Sequence, residues 1–160
     1  MRAESAHAAL LVVIVAGLAL AGFATYETFV PAAAGICSIN QFVSCSAVDK
    51  SGHTSTLGVP DWAVGLGGFL VLLGLDVPLY RTWRRDLLKA VVVVSGLGLV
   101  ASAYFAYVEL AVIGALCPVC FSTYVADAAA FALSFWLLRS SSSASDADDE
   151  GSTAQRNPSP

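Results

Sequence analysis

Residues 116–138 read LCPVCFSTYVADAAAFALSFWLL, and this stretch decides the fold class. It is apolar over a length that reaches the roughly 20 helical residues needed to cross the hydrocarbon core of a bilayer. Three more stretches share that length and composition, at 8–30, 62–80 and 87–108. The sequence therefore predicts an all-α integral membrane protein, a four-helix bundle with a long outer loop between its first two spans.

Composition places the chain in the membrane class. Hydrophobic residues make up 57% of its 160 residues and charged residues only 12%, with a mean hydropathy of +0.73. A soluble domain of this size carries far more charge on its surface. The sequence shows no phosphate-binding loop, basic nucleic-acid patch, Ser-His-Asp set or histidines at metal-ligand spacing. We therefore expect neither a metal centre nor a nucleic-acid partner.

The distribution of positive charge predicts the orientation. The short loop at 80–89 (YRTWRRDLLK) carries four positive residues, whereas the long loop at 31–61 carries only Lys50. Short loops that are rich in Lys and Arg stay in the cytoplasm. We therefore predict a multi-pass protein of the cell (plasma) membrane with both termini cytoplasmic. The long loop and the Glu109–Leu116 turn then face outward.

The first span has a second interpretation. Arg2, the apolar run at 9–21 and the small residues that end near Ala24 resemble a cleavable signal peptide. The mostly apolar stretch continues to about Val30, however, which is longer than a usual signal core. Cleavage would also leave three spans and strand the basic loop relative to the last helix. A membrane span is the favoured interpretation.

The segment at 140–160 differs from the rest of the chain. It is rich in Ser and holds four of the twelve acidic residues, clustered at 146–150. Such a composition cannot bury enough apolar surface to fold by itself. We predict a disordered cytoplasmic tail over 140–160 that follows a membrane domain over 1–139.

All four cysteines fall on the predicted outer side. Cys37 and Cys45 lie in the long loop with seven residues between them, while Cys117 and Cys120 form a Cys-Pro-Val-Cys motif where the fourth span begins. Disulfides form and persist outside the cytosol, so an even number of cysteines there indicates redox use. Two structural disulfides would fit the same count, as would a zinc ion bound by all four thiolates. The wide loop spacing and the membrane-edge position argue against zinc.

The Cys-x-x-Cys spacing suits thiol chemistry at the start of a helix. Residues three apart lie on the same helix face, so Cys117 and Cys120 can close a short, reactive disulfide. The free N–H groups and partial positive charge of a helix N-terminus favour the nucleophilic thiolate. Pro118 fits the first helical turn, where no N–H is needed.

Together these features resemble the vitamin K epoxide reductase family in its prokaryotic form. After the loop cysteines come Ser51 and LGVP at 57–60, similar to the family's loop hydroxyl and its Gly-Ile-Pro-like entry to the second span. The fourth span opens with CPVCFSTY at 117–124, similar to the family's Cys-x-x-Cys followed by a hydroxyl pair and a tyrosine. The resemblance covers about residues 8–138. The DsbB type of disulfide generator also has four spans and four cysteines, but its Cys-x-x-Cys lies in the first outer loop.

That resemblance implies a role for each cysteine. A reduced partner protein attacks a Cys37–Cys45 disulfide, and the freed Cys45 exchanges with Cys117. Cys120 lies nearest to a membrane quinone of the menaquinone or ubiquinone type, which reoxidises the Cys117–Cys120 dithiol. Because no thioredoxin-like domain follows the fourth span, the implied donor is a separate extracytoplasmic thioredoxin-like protein.

The resemblance also implies a quinone pocket. We expect Asp61 and Tyr124 to bind the quinone oxygens and Ser51 to order the loop beside the cysteines. Asp61 stands where vertebrate relatives have asparagine, and it can equally cap the second span behind Pro60. Asp127 shares a helix face with Tyr124 near mid-bilayer, where a charge is costly and usually functional. We expect Asp127 to line the pocket or to relay protons. Two alternatives stay open: Tyr124 can simply pack in the core, and Asp127 can be a neutral carboxyl with a structural role.

Three functions follow from this reasoning. The favoured one is a membrane thiol–disulfide oxidoreductase that makes disulfides for exported proteins and passes the electrons to quinone. The second is a quinone or vitamin K epoxide-type reductase on the same scaffold. The third is a non-enzymatic membrane protein whose disulfides only brace its outer loops.

Overall fold

The computed structural model describes residues 3–30, 38–40, 42–49, 51, 55–56 and 59–155. Its long elements are four helices: α1 (Ala3–Phe29), α3 (Asp61–Thr82), α4 (Arg85–Tyr107) and α5 (Pro118–Gln155). Each contains a stretch long and apolar enough to cross a membrane. The predicted four-helix membrane bundle is confirmed, whereas its orientation stays a prediction.

Short elements occupy the outer connections. In the long loop, α2 spans Cys45–Asp49, and β1 (Ser55–Thr56) pairs antiparallel with β2 (Val59–Pro60). A π-helix, π1, continues α4 over Val108–Ile113. The small hairpin leads directly into α3, so the loop ends where the second span begins.

The four long helices close into a bundle in which each packs against two others. α1 contacts α3 and α5, and α4 contacts the same two helices. The shared interior is apolar and includes Leu10, Ile14, Phe69, Leu72, Val91 and Leu137. Large apolar side chains such as Val12, Leu97 and Val100 are exposed on the outside. Helices that are apolar all round are typical of membrane spans, whose outer faces contact lipid.

The connection between α4 and α5 is shorter than predicted. The sequence predicts a turn over Glu109–Leu116, but the helical backbone continues through Ile113 and turns only at Gly114, which has a left-handed φ of 70°. The carbonyl of Glu109 accepts the N–H groups of Gly114 and Ala115. The prediction was wrong for residues 109–113, because the helical backbone continues past Glu109.

The last helix is longer than its predicted span. The stretch able to cross a membrane ends at Ser141, yet α5 continues to Gln155, where the sequence predicts disorder. A helix already nucleated in the bundle adds residues at little cost, because each adds one hydrogen bond for one residue fixed. The division into domains at residue 139 stays a prediction.

At the end of the bundle opposite the cysteines, α1 and α3 share a buried polar pair. The Nε2 atom of His7 lies 2.8 Å from Oδ1 of Asp76, and both side chains are almost fully buried. The imidazole also packs against the rings of Tyr80 and Trp83, with centroids 5.4 and 5.2 Å away. Trp83 ends α3 in a left-handed conformation, with its N–H donated to the carbonyl of Leu79 at 2.9 Å. Sequence analysis did not single out this pair.

Gly17 sets how closely α1 approaches α3. A Cβ at this position would lie 2.2 Å from the Phe69 ring, so Gly17→Ala must displace a buried aromatic side chain. We expect a loss of about 1–3 kcal/mol in the free energy of unfolding, measured by thermal unfolding in detergent micelles. Gly22→Ala is the matched control on the same helix, because its Cβ would meet nothing within 4 Å. Equal losses in both variants would contradict this explanation.

Candidate functional site

Backbone hydrogen bonds hold the long loop against the segment that precedes α5. The N–H of Ser44 donates to the carbonyl of Leu116 at 3.1 Å, and the N–H of Leu116 donates to the carbonyl of Phe42 at 2.7 Å. The Oδ1 atom of Asn40 accepts the N–H groups of Phe42 and Val43 at 2.9 and 2.8 Å. These bonds place Cys45, the next residue, beside the Cys-Pro-Val-Cys motif.

The two cysteine pairs meet at a sulfur–sulfur contact. Cys45 is disulfide-bonded, whereas Cys117 and Cys120 are free thiols. The Sγ atom of Cys117 lies 3.1 Å from the Sγ atom of Cys45, which is the separation of reacting atoms poised for attack. Cys37 lies outside the described residues, so the predicted Cys37–Cys45 pairing stays a prediction.

The start of α5 holds the Cys117 sulfur in place. This residue immediately precedes the helix, and its sulfur accepts the backbone N–H of Cys120 at 3.2 Å. Its carbonyl accepts the N–H of Phe121 at 2.9 Å. The Cys117 sulfur is thereby fixed at the N-terminal end of α5, between Cys45 and Cys120.

A large cavity opens on the other side of Cys120. All four long helices line it, and together with its open mouth it encloses about 690 Å³ of space between atoms. Most of its wall is apolar. Its polar lining consists of Asp61, Ser102, Cys120, Thr123, Tyr124 and Asp127.

Three of the predicted pocket residues therefore meet in one cavity, and one does not. Asp61, Tyr124 and Asp127 line it together with Cys120. The hydroxyl of Ser51 instead donates to the carbonyl of Val48 at 2.7 Å, just beyond α2. The binding roles of these four residues stay predictions.

Asp127 has a specific place in the cavity wall. One of its carboxylate oxygens accepts the hydroxyl of Ser102 at 3.1 Å. A Cβ at Gly98 would lie 2.8 Å from the same carboxylate, so only glycine leaves room for it there. The helix spacing that suggested a shared face with Tyr124 does bring both residues into the cavity.

Asp61 lies between the large cavity and a second, smaller one. It is the first residue of α3, and its Oδ1 atom accepts the N–H of Trp62 at 2.7 Å. The smaller cavity is also lined by Cys45, Cys117 and Cys120. Asp61 is thus a helix-terminal carboxylate and a wall residue of both cavities.

Glu109 is a site residue that sequence analysis missed. Its Oε2 atom accepts the N–H of Cys117 at 3.1 Å, and its Oε1 atom accepts the hydroxyl of Tyr124 at 2.7 Å. Only 3% of the residue is exposed. One signal was available, because no other charged residue occurs in the apolar run at 90–116.

Glu27 was also missed. It interrupts the first span, is buried, and lines the smaller cavity beside Cys45. Glu27 is therefore the third carboxyl group, after Asp61 and Glu109, that lies near the contact between Cys45 and Cys117.

The large cavity suits a quinone. Its apolar walls can hold a flat ring and a prenyl chain, while Ser102, Thr123 and Tyr124 carry hydroxyls near Cys120. Sites for small apolar ligands combine such walls with a few placed polar groups. The mostly apolar lining with a few polar groups therefore fits the group that the sequence resemblance implies.

The sequence also matches a known protein family over most of its length. Residues 8–135 match the model described as Vitamin K epoxide reductase family. This range includes the four cysteines and most of the membrane-spanning helices. The matched stretch covers well over half of the chain. The chain therefore belongs to the vitamin K epoxide reductase family, whose members are oxidoreductases.

Proposed function

We propose that this protein is a quinone-dependent, disulfide-forming oxidoreductase of the cell membrane. It takes electrons from a separate thioredoxin-like protein outside the membrane and passes them through two cysteine pairs to a quinone. The observation that carries the proposal is the position of Cys120, which lines both the small cavity beside Cys45 and the large apolar cavity.

The first half of the relay is thiol–disulfide exchange. A thiolate of the partner attacks Cys37 of the Cys37–Cys45 disulfide, forms a mixed disulfide with Cys37 and releases Cys45 as a thiolate. The partner's second thiolate then resolves this mixed disulfide, so that the partner leaves oxidised and Cys37 is freed as a thiol. The Cys45 thiolate then attacks the Cys117 sulfur of an oxidised Cys117–Cys120 pair and displaces Cys120 as its thiolate. The 3.1 Å contact between the sulfurs of Cys45 and Cys117 supports this order. Resolution by Cys37 restores the loop disulfide and leaves Cys117 and Cys120 reduced.

The second half takes place at the large cavity. A quinone bound there supplies a two-electron, two-proton acceptor. The Cys117 and Cys120 thiols lose two electrons and two protons as their disulfide forms. Asp61 and Tyr124 would bind the ligand oxygens, Asp61 as the neutral acid that can donate a hydrogen bond, and the apolar walls would exclude water from the exchange. The basic loop at 80–89 faces the cytoplasm, which puts both cysteine pairs outside.

A trapped intermediate tests this relay. In Cys120→Ser, a Cys45–Cys117 disulfide cannot be resolved by Cys120, so it should accumulate when the purified protein is oxidised. Non-reducing mass spectrometry of tryptic peptides would detect the crosslink between the loop and α5. The double variant Cys117→Ser/Cys120→Ser is the control and should show none. Absence of the crosslink from folded Cys120→Ser would contradict the proposal.

A further inference from the structure

Glu109 lies at the centre of the hydrogen bonds that join the cysteine motif to the large cavity. Its carboxylate accepts the N–H of Cys117 and the hydroxyl of Tyr124. The Cys120 thiol lies close enough to the same carboxylate to interact with it electrostatically. One buried side chain thus bonds to Cys117 of the motif and to a wall residue of the cavity, beside Cys120.

The backbone holds this carboxylate in place. Glu109 is the second residue of π1, a rare helix type that frequently occurs at functional sites. Its carbonyl accepts the N–H groups of Gly114 and Ala115, which close the turn into α5. Since both its side chain and its backbone are bonded to the segment around the cysteines, Glu109 keeps a fixed position beside the thiols.

The chemistry of the motif needs a proton acceptor here. A thiol becomes a nucleophile and an electron donor only after it loses its proton. A carboxylate accepts hydrogen bonds only, but once protonated it carries an O–H that donates. Protonation of Glu109 would therefore reverse its bond to Tyr124, and the Tyr124 O–H would become free to donate into the cavity.

We propose that Glu109 is a catalytic residue that takes the proton from the Cys120 thiol and delivers it, through the Tyr124 hydroxyl, to a quinone oxygen in the cavity. This inference rests on the proposed function, whose cysteine relay it completes.

The step balances in atoms and electrons. The S–H bond of Cys120 breaks and an O–H bond forms on Glu109. Glu109 gives this proton to the Tyr124 oxygen as Tyr124 gives its own to the ligand. The Cys117 thiol loses the second proton to the emptied carboxylate by the same route. The S–S bond that forms between Cys117 and Cys120 releases the two electrons that accompany these protons.

Other titratable groups surround this relay. Asp61 of α3 is close enough to interact electrostatically with Glu109. Glu27 of α1 and Cys45 of α2 line the neighbouring small cavity, and Asp127 lines the large one. Among them, Glu109 is distinguished by its hydrogen bonds to both Cys117 and Tyr124.

The pH dependence of Cys120 alkylation tests the first transfer without any quinone. Iodoacetamide reacts with the thiolate. Mass spectrometry of the peptide that contains Cys120 measures the rate of its alkylation at each pH, over about three pH units around neutrality. With Glu109 as the acceptor, we expect the wild-type rate to be nearly constant. In Glu109→Gln, only hydroxide can remove the proton, so the rate should rise about tenfold per pH unit. Glu109→Asp keeps a carboxylate and should keep the flat profile, even if it reacts more slowly.

A second readout tests delivery to the cavity. At neutral pH we expect Glu109→Gln to reduce decylubiquinone about 10²- to 10⁴-fold more slowly than wild type with dithiothreitol as donor, and this deficit should shrink as the pH rises. Tyr124→Phe should lose quinone reduction but keep the wild-type alkylation profile. Asp86→Asn, which removes an exposed carboxylate from the far end of α4, is the control and should match wild type in both assays.

Two outcomes separate the inference from the function on which it rests. A merely structural Glu109 would make the Glu109→Gln rates lower by one factor at every pH, and parallel profiles would overturn the relay. Formation of the Cys45–Cys117 crosslink in Glu109→Gln/Cys120→Ser shows that the fold is kept. Normal quinone reduction by Cys120→Ser would instead overturn the proposed function itself.

Discussion

Replacement of Cys117 by serine is expected to slow dithiol-driven quinone reduction by roughly 10³-fold or more, because a covalent relay has no substitute for the sulfur through which its disulfides form. Cys117 is the junction: its sulfur contacts that of Cys45 at 3.1 Å and accepts the N–H of Cys120 at 3.2 Å. A hydroxyl at this position keeps the helix start but cannot form either disulfide. Stopped-flow absorbance of decylubiquinone, with dithiothreitol as donor, measures the loss.

The matched control adds the same hydroxyl elsewhere on α5. Ala128 is exposed on the outer face of that helix, so Ala128→Ser should leave the rate unchanged. A Cys117→Ser protein that reduces quinone at the wild-type rate would show that electrons bypass the motif.

The second large effect concerns the stability of the bundle at its other end. His7 and Asp76 are almost fully buried and form one contact of 2.8 Å. The second polar atom of each side chain, Nδ1 and Oδ2, has no hydrogen-bond partner among the described residues. Removal of one member leaves the other buried without its partner. We therefore expect His7→Leu and Asp76→Val each to lower the free energy of unfolding by about 3–5 kcal/mol.

The double variant distinguishes a pair from two independent sites. Apolar groups of similar volume often replace a buried ion pair at no net loss, so His7→Leu/Asp76→Val should be far more stable than the sum of the single effects predicts. Reversible unfolding in mixed micelles provides the three values. Additive losses in the double variant would show that the two side chains do not depend on each other.

Much of the site could be predicted from residue type and spacing. The Cys-x-x-Cys motif with Pro118 indicated a helix start, and α5 does begin at Pro118. The spacing of Tyr124 and Asp127 indicated one helix face, and both line the large cavity together with Cys120. Sequence spacing is informative here because residues three or four positions apart in an α-helix lie on the same face.

Residues that act across elements were harder to predict. Glu109 reaches Tyr124 only because π1 and the turn at Gly114 fold α4 back onto α5. His7 meets Asp76 across 69 positions of sequence. No local pattern encodes such contacts, since they depend on how the helices pack.

The sequence by itself determined four spans, a cysteine pair at the start of the last one, and the family to which the chain belongs. Apolar length and spacing suffice for these, because the bilayer requires helices of fixed length whose backbone groups bond internally. Only the tertiary structure decided which groups meet. It brought the sulfur of Cys45 to 3.1 Å from that of Cys117 and set Glu109 against both the motif and Tyr124. Those distances depend on the hydrogen bonds of the loop, the π-helical turn and the packing of four helices at once.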